Sequence, residues 1–174
     1  SIAHRFAAEM FVQKHKFDKA ISEAQLALTL DPNNAENHIT MARILTYAGR
    51  PEEAIPYAKR SMLLNPRDKS VALERIASAH FCMGQFEEAA KLCNEALELN
   101  PDFHPGAAVL AASYAHLGRI EEARAALEIY YKGWGKAQPR LEMAMYFFPF
   151  KNPEHAESLA DGFLKAGMPW KPYG

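Results

Sequence analysis

The stretch MGQFEEA at residues 83–89 returns along the chain in one register, and it decides the fold. Residues 117–123 read LGRIEEA, residues 48–54 read AGRPEEA, and residues 14–20 give the looser version KHKFDKA. The alanines that close these stretches are 34, 35 and 34 residues apart: Ala20, Ala54, Ala89 and Ala123. Self-similarity at a fixed period of about 34 residues is typical of a helical solenoid. The sequence therefore predicts an all-α chain whose main use is a binding surface.

The second unit shows how each repeat encodes a helical hairpin. Gly49 ends a first helix, because glycine accepts the left-handed backbone found at a helix C-terminus. Pro51 opens a second helix at a position where its missing N–H has no cost. Ala54 is small, which lets the two helices of the hairpin cross closely. The pair at residues 65–66, Asn-Pro, ends the unit, because a residue before proline avoids the helical region.

These residues resemble the tetratricopeptide repeat family over residues 1 to about 132. The resemblance also rests on an alanine in the first helix of every unit: Ala8, Ala42, Ala77 and Ala111. Ser61 and Tyr130 replace the small alanine that the family places near the end of the second helix. The resemblance implies a right-handed α-α superhelix of about four helical hairpins plus a C-terminal helical cap. Its units and cap form one continuous solenoid domain with these bounds: 1–34, 35–69, 70–103, 104–136 and 137–174.

The C-terminal region departs from the repeat. Residues 138–148 favour a short helix, and the sequence Asn152-Pro153-Glu154 is typical of the start of another, with a capping side chain and then proline. A solenoid needs a cap over its last apolar face. The aromatic stretch at residues 146–150 fits that task, and the alternative is an exposed docking patch.

This tail carries a second resemblance. The sequence PFKNP at residues 149–153 and KAGMP at residues 165–169 resemble the C-terminal end of bacterial class III adenylate cyclase-like proteins. Those proteins place a tetratricopeptide array after a cyclase or transcription-regulator domain. The resemblance implies a regulatory or assembly module of a larger bacterial signalling protein, without cyclase chemistry in this chain.

Composition narrows the class of partner. The net charge of −1 gives no electrostatic reason to expect nucleic acid. No apolar run approaches the roughly 18 residues of a membrane span. The chain begins at Ser1 already in a helical pattern, so we interpret it as a piece of a longer protein. We expect a cytoplasmic location, or a periplasmic one if the parent is anchored in a membrane.

No catalytic, cofactor or metal site is predicted. The seven histidines form no H-E-x-x-H motif, and the two cysteines form no paired C-x-x-C. Cys82 and Cys93 are expected to pack as small apolar residues. His80 and His116 lie on first helices and leave open a small-ligand receptor or an enzyme as an alternative.

The family resemblance implies that the first helices line a concave groove. It carries over to a set of candidate partner-binding residues in the four units: Arg5, Glu9, Ile39, Arg43, Tyr47, Glu74, Ser78, Phe81 and His116. In this set, arginines could bind a carboxylate, and Tyr47 and Phe81 could pack a peptide side chain.

The resemblance also allows a test for the carboxylate clamp of chaperone-binding members. The matching positions hold Arg5, Glu9, Thr40, Val71 and Arg75. Glu9 would repel a carboxylate, so we reject the clamp. The favoured hypothesis is a non-catalytic scaffold that binds a protein or peptide partner along the groove. An oligomerisation module, working as a homodimer, stays open as an alternative.

Overall fold

In the computed structural model, the described residues are 1–135 and 139–170, and they form ten α-helices and no β-strand. The all-helical fold is confirmed. The helices are α1 (Ile2–Gln13), α2 (Phe17–Leu30), α3 (Ala35–Tyr47), α4 (Pro51–Leu64), α5 (Lys69–Cys82), α6 (Phe86–Leu99), α7 (His104–His116), α8 (Ile120–Lys132), α9 (Leu141–Tyr146) and α10 (Pro153–Lys165).

Each of the first four hairpins turns through one residue in the left-handed region. Gly49, Gly84 and Gly118 have φ of +82°, +72° and +74°, as the sequence predicts. The first hairpin places His15 there, with φ of +52°. A side chain in this region is strained, because its Cβ crowds the following carbonyl oxygen. The repeat therefore keeps its turn geometry even where it lacks the glycine.

Alanines let the two helices of every hairpin approach each other closely. The alanines that carry the repeat are all 0% exposed: Ala8, Ala20, Ala42, Ala54, Ala77, Ala89, Ala111 and Ala123. Larger side chains there would collide in a close-packed interior. Ser61 and Tyr130, which depart from the family pattern, are also buried.

The hairpins stack in chain order. Each second helix contacts the first helix of the next hairpin, and the first helices α1, α3, α5 and α7 also contact one another in sequence. These four helices therefore form a continuous surface, called here the first-helix face. None of the helices within residues 1–135 and 139–170 is both long and apolar enough to cross a membrane.

Residues 139–170, called here the C-terminal segment, pack mainly on α7. The helix α10 begins as predicted, because the Asn152 side chain accepts a hydrogen bond from the Glu154 N–H over 3.0 Å. Phe163 is 0% exposed, and a Cβ added at Gly162 would lie only 2.8 Å from the Ala112 Cα atom. Backbone of α10 thus lies directly against α7.

Residues 147–152, called here the aromatic loop, extend from α9 to the end of α3. Phe148 and Phe150 are half-buried and pack against both halves of the core. Tyr146, the last residue of α9, is 69% exposed, and Phe147 is 48% exposed. The stretch at residues 146–150 therefore covers core with some rings and exposes others.

Candidate functional site

Three of the candidate residues line one cavity on the first-helix face. Arg43 and Tyr47 on α3 and Glu74 on α5 border a cavity of about 250 Å³. Its remaining lining comes from α5, from the ends of α7 and α8, and from the C-terminal segment: Arg75, His104, Pro105, Tyr130, Gly133, Trp134, Phe147 and Phe148. The cavity therefore lies between the hairpins and the C-terminal segment.

Aromatic rings form the wall of the cavity opposite α3. The Trp134 ring meets Tyr130 edge-on at 6.1 Å between centroids and Phe147 at 5.2 Å. Tyr130 also stacks on Phe163 of α10 at 6.0 Å. Edge-to-face pairs at such distances are favourable contacts, so the wall is held by packing on both sides.

A buried ion pair forms the floor on α5. Glu74 is 1% exposed, and its Oε2 lies 3.1 Å from Arg75 Nη1, while its Oε1 accepts a hydrogen bond of 2.6 Å from the Ser78 hydroxyl. Burial lowers the pKa of Arg75, but Glu74, Tyr47 and Glu9 together raise it by more, so the net shift is upward. Arg75 therefore keeps its positive charge inside the site.

A second ion pair joins α1 to α3 beside the cavity. Arg43 Nη2 lies 2.9 Å from Glu9 Oε1, and both side chains stay about one-third exposed. Arg5 lies farther out, 3.6 Å from Glu36. The guanidinium of Arg43 carries five N–H donors, so it can bind Glu9 and a second acceptor together.

Tyr47 is the buried aromatic residue where α3 meets the aromatic loop. Its ring meets Phe150 edge-on, 5.1 Å between centroids, and its hydroxyl donates to the Phe147 carbonyl oxygen over 3.4 Å. Burial raises the pKa of the Tyr47 hydroxyl. The group therefore acts as a neutral donor at ordinary pH.

The other candidates lie away from the cavity or beneath cover. Ile39, Ser78 and Phe81 are buried in the packing. His116 lies under α10, where its Nε2–H donates to the Ser158 carbonyl oxygen over 2.8 Å and its ring stacks on Phe86 at 4.3 Å. Arg43, Tyr47 and Glu74 thus lie together at the cavity. His116 instead helps to hold α10 in place.

Two groups at the site were missed by sequence reasoning. Arg75 was absent from the candidate set, although a charge in the apolar stripe of a first helix was a usable signal. The corresponding positions in the neighbouring units hold Thr40 and Val109, which are 3% and 2% exposed. Trp134 gave no such signal, and Phe147 was expected only as a member of the aromatic stretch at residues 146–150, because the sequence does not show which face that stretch reaches.

The alternative of a small-ligand receptor or an enzyme depends on His80 and His116. Neither His80 nor His116 lines the cavity. Burial raises the pKa of Cys82 to about 12 and that of Cys93 well above its usual value, so both thiols stay protonated. In residues 1–135 and 139–170, no group of three or more His, Cys, Asp or Glu side chains is placed to hold a metal ion.

The stacked hairpins with a cavity on their first-helix face define a class, the helical-repeat solenoids. Within it, residues 70–103 match the family model described as Tetratricopeptide repeat, so the third hairpin is such a repeat. The predicted repeat family is supported by this match. No curated protein matches the sequence.

Solved structures show the same fold. PilW, a "widely conserved type IV pilus biogenesis factor", is similar with a TM-score of 0.70 at 21% identity, over 95% of this chain and 72% of that one. A thermophilic TPR protein from Thermus thermophilus gives 0.70 at 20% identity, over 95% and 82%. MamA gives 0.59 at 22% identity, over 91% of both chains. The likeness establishes a tetratricopeptide solenoid fold.

Proposed function

We propose that this chain is a non-catalytic protein-interaction scaffold that binds a partner peptide along its first-helix face. The observation that carries the proposal is the cavity beside α3 and α5. It joins two guanidinium groups, from Arg43 and Arg75, to an aromatic wall on the face where the repeats leave a continuous surface. Proteins with this repeat generally use it to bind other proteins.

The chemistry of the cavity favours an apolar or aromatic side chain next to a carboxylate. The rings of Tyr130, Trp134 and Phe147 offer apolar contact. Arg43 lies at the cavity's edge, 28% exposed, and its ion pair with Glu9 neutralises the charge that would otherwise repel a carboxylate. Its remaining N–H donors can bind a partner's carboxylate. A hydrogen bond to a charged group is stronger where neighbouring rings exclude water. We therefore infer a partner segment that places an acidic group beside an aromatic ring.

Selection of displayed random peptides on the whole chain tests this proposal. We expect the selected peptides to pair an aromatic residue with an acidic one. Arg43→Gln should weaken their binding about tenfold or more, the effect of losing one charge-assisted contact of about 1.4 kcal/mol. Arg67→Gln, at an exposed arginine between α4 and α5, is the matched control. Equal affinity for both variants and the unchanged chain would contradict the proposal.

We propose further that this chain carries out no catalysis of its own. The two cysteine thiols are held in the protonated form by burial, which removes the thiolate that nucleophilic chemistry needs. Glu74 and Arg75 neutralise each other and are held in the floor of the cavity.

We also propose that the module serves regulation or assembly in a larger bacterial signalling protein. The support is the tail resemblance at residues 149–153 and 165–169 to adenylate cyclase-like proteins. The flanking coding sequence checks this, since we expect it to encode a cyclase or transcription-regulator domain upstream. A coding sequence with neither would contradict it.

Pairing of two copies is a second candidate, favoured by an exposed stripe on α1. Ile2, Phe6 and Met10 are 61%, 54% and 59% exposed at helical spacing. The residues that match Met10 in later units are buried by the preceding hairpin, as Ile44 and Ser113 are at 0%. The stripe therefore suits an apolar helical partner, and this candidate assigns that role to a second copy of the chain.

Light scattering across a concentration series tests this pairing. We expect a dimer that Phe6→Glu abolishes, with Leu63→Glu, at a 72% exposed residue of α4, as the control. A monomer at every concentration would remove this candidate.

A further inference from the structure

The aromatic loop occupies the first-helix face at the end of α3. Phe150 packs edge-on against Tyr47, and the Lys151 N–H donates to the Tyr47 carbonyl oxygen over 2.7 Å. The Tyr47 hydroxyl in turn reaches the Phe147 carbonyl oxygen at 3.4 Å. Ring and backbone contacts from the loop therefore converge on one residue of α3.

The Tyr47 carbonyl needs a donor from outside its own helix. A helical carbonyl accepts from the N–H four residues later, and here that residue is Pro51, which has none. The N–H of Arg50 is directed to Leu45 instead, at 2.8 Å. Tyr47 is the last residue of α3, so its carbonyl is one of the helix-end acceptors that have no donor within the helix. Here the Lys151 N–H of the aromatic loop supplies that donor.

The loop holds its own shape. The Phe150 N–H donates to the Phe148 carbonyl oxygen over 2.8 Å, which closes a three-residue γ-turn around Pro149. The Phe148 N–H donates to Met145 over 3.0 Å. Because the γ-turn bond lies within the loop, a short peptide of the same sequence can form the same turn.

Helix α10 has contacts of its own on α7, apart from those that it shares with the loop. It is fixed there by Phe163, by the Gly162 approach to Ala112 and by the His116 bond to Ser158. The loop contacts described above join it to α3, and two of its rings also contact α10: Phe148 meets Phe163 at 6.0 Å and Phe150 meets His155 at 5.9 Å between centroids. Departure of the loop would break those two ring contacts, leave the contacts of α10 with α7 intact and remove Phe147 and Phe148 from the cavity wall.

We infer that the site at Tyr47 receives aromatic–proline–aromatic segments that form a γ-turn, and that residues 147–151 occupy it as an intramolecular ligand. A partner segment of the same chemistry displaces the loop and opens the cavity beside it. This inference rests on the proposed function, because it names the partner class for the same face. The chain's own segment shows what chemistry the site accepts: a ring against Tyr47 and a backbone N–H to its carbonyl.

Release of the loop is measured first, by hydrogen exchange on the whole chain. In Phe150→Ala we expect the Lys151 amide to exchange about tenfold faster or more, because its bond to Tyr47 opens more often. The control Tyr146→Ala, at an exposed ring, should leave that amide unchanged. Amides of α10 should keep their protection in both variants, which shows that the chain stays folded. An unchanged Lys151 amide in Phe150→Ala would overturn the inference.

Displacement of the loop by a partner segment is then measured by fluorescence anisotropy. The probe is a labelled peptide of residues 146–152, YFFPFKN. We expect it to bind Phe150→Ala about tenfold more tightly than the unchanged chain, because the intramolecular competitor is gone. Adding Tyr47→Ala to that variant should remove the gain, and a peptide with serine in place of the proline and both flanking phenylalanines should not bind. Equal affinity for Phe150→Ala and the unchanged chain, or no binding to either, would overturn the inference.

The two proposals fail separately. Selected peptides that depend on Arg43 but bind the unchanged chain and Phe150→Ala equally would keep the proposed function and reject loop displacement. Selected peptides that ignore Arg43→Gln would reject the proposed function itself.

Discussion

At the scale of single residues, the first-helix face depends on places where a neighbouring element comes too close for a side chain. Gly162 is such a place, because α10 lies so close to Ala112 that no side chain fits between them. Gly133 is another, since a Cβ there would lie 2.5 Å from the His104 ring at the cavity. Neither glycine has a positive φ. Each is required because a side chain would not fit, and not because of its backbone angles.

Gly162→Ala should therefore destabilise the chain despite the better helix propensity of alanine. The added methyl overpacks the contact with α7, which costs about 1–3 kcal/mol against a helix gain of under about 1 kcal/mol. Urea unfolding measures the difference, with Glu157→Ala on the exposed side of α10 as the control. A more stable Gly162→Ala chain would show that α10 does not lie on α7 as described.

The buried thiols predict a pH dependence. The pKa of Cys82 is about 12 in the folded chain and near 9.0 when unperturbed. The unfolded chain therefore loses this proton first, so the thiol's contribution is complete below pH 9 and is lost as the pH rises toward 12. We expect the free energy of unfolding to fall by roughly 1 kcal/mol between pH 8 and 9.5. The Cys82→Ala, Cys93→Ala double variant should show a smaller fall; an equal fall would assign the effect to other groups.

At the scale of elements, each hairpin is set by a turn, and the first turn is the strained one. His15 takes φ of +52° where the next three hairpins have glycine. Relief of about 1–2 kcal/mol of left-handed strain exceeds the roughly 0.5–1 kcal/mol entropy cost of glycine.

His15→Gly should therefore stabilise the chain by roughly 0.5–1 kcal/mol. Thermal unfolding measures it, with Lys14→Gly as the control, because Lys14 has an ordinary negative φ of −92° and should be destabilised by glycine. A loss of stability in His15→Gly would mean that its ring contact with Phe17, 5.7 Å between centroids, matters more than the strain.

The repeat elements could be predicted because their signals are local. Ala54 marks a close helix crossing, Gly49 a left-handed turn and Pro51 a helix start, and each acts within a few residues of itself. The placement of the C-terminal segment depends on contacts between distant residues, such as Lys151 with Tyr47. Sequence spacing gives no measure of those contacts. For the same reason Arg43 and Tyr47 could be nominated in advance, whereas the aromatic wall they face could not.

At the scale of the whole molecule, one chain supplies both the proposed binding face and a segment that partly covers it. The first helices give Arg43, Tyr47 and the Glu74–Arg75 pair, and the end of α8 and the C-terminal segment give the opposing rings. In the proposed function, a partner meets a face whose access is set by the aromatic loop. The central claim is that this face, and not the back formed by the second helices, binds the partner.

Hydrogen exchange on the whole chain, with and without a selected peptide, tests that claim most directly. Bound peptide should slow exchange in α3 and α5 and change it in residues 147–151, while α4 and α6 on the back stay unchanged, because binding protects the backbone that it stabilises. Protection confined to α4 and α6, with α3 and α5 unaffected, would contradict the account.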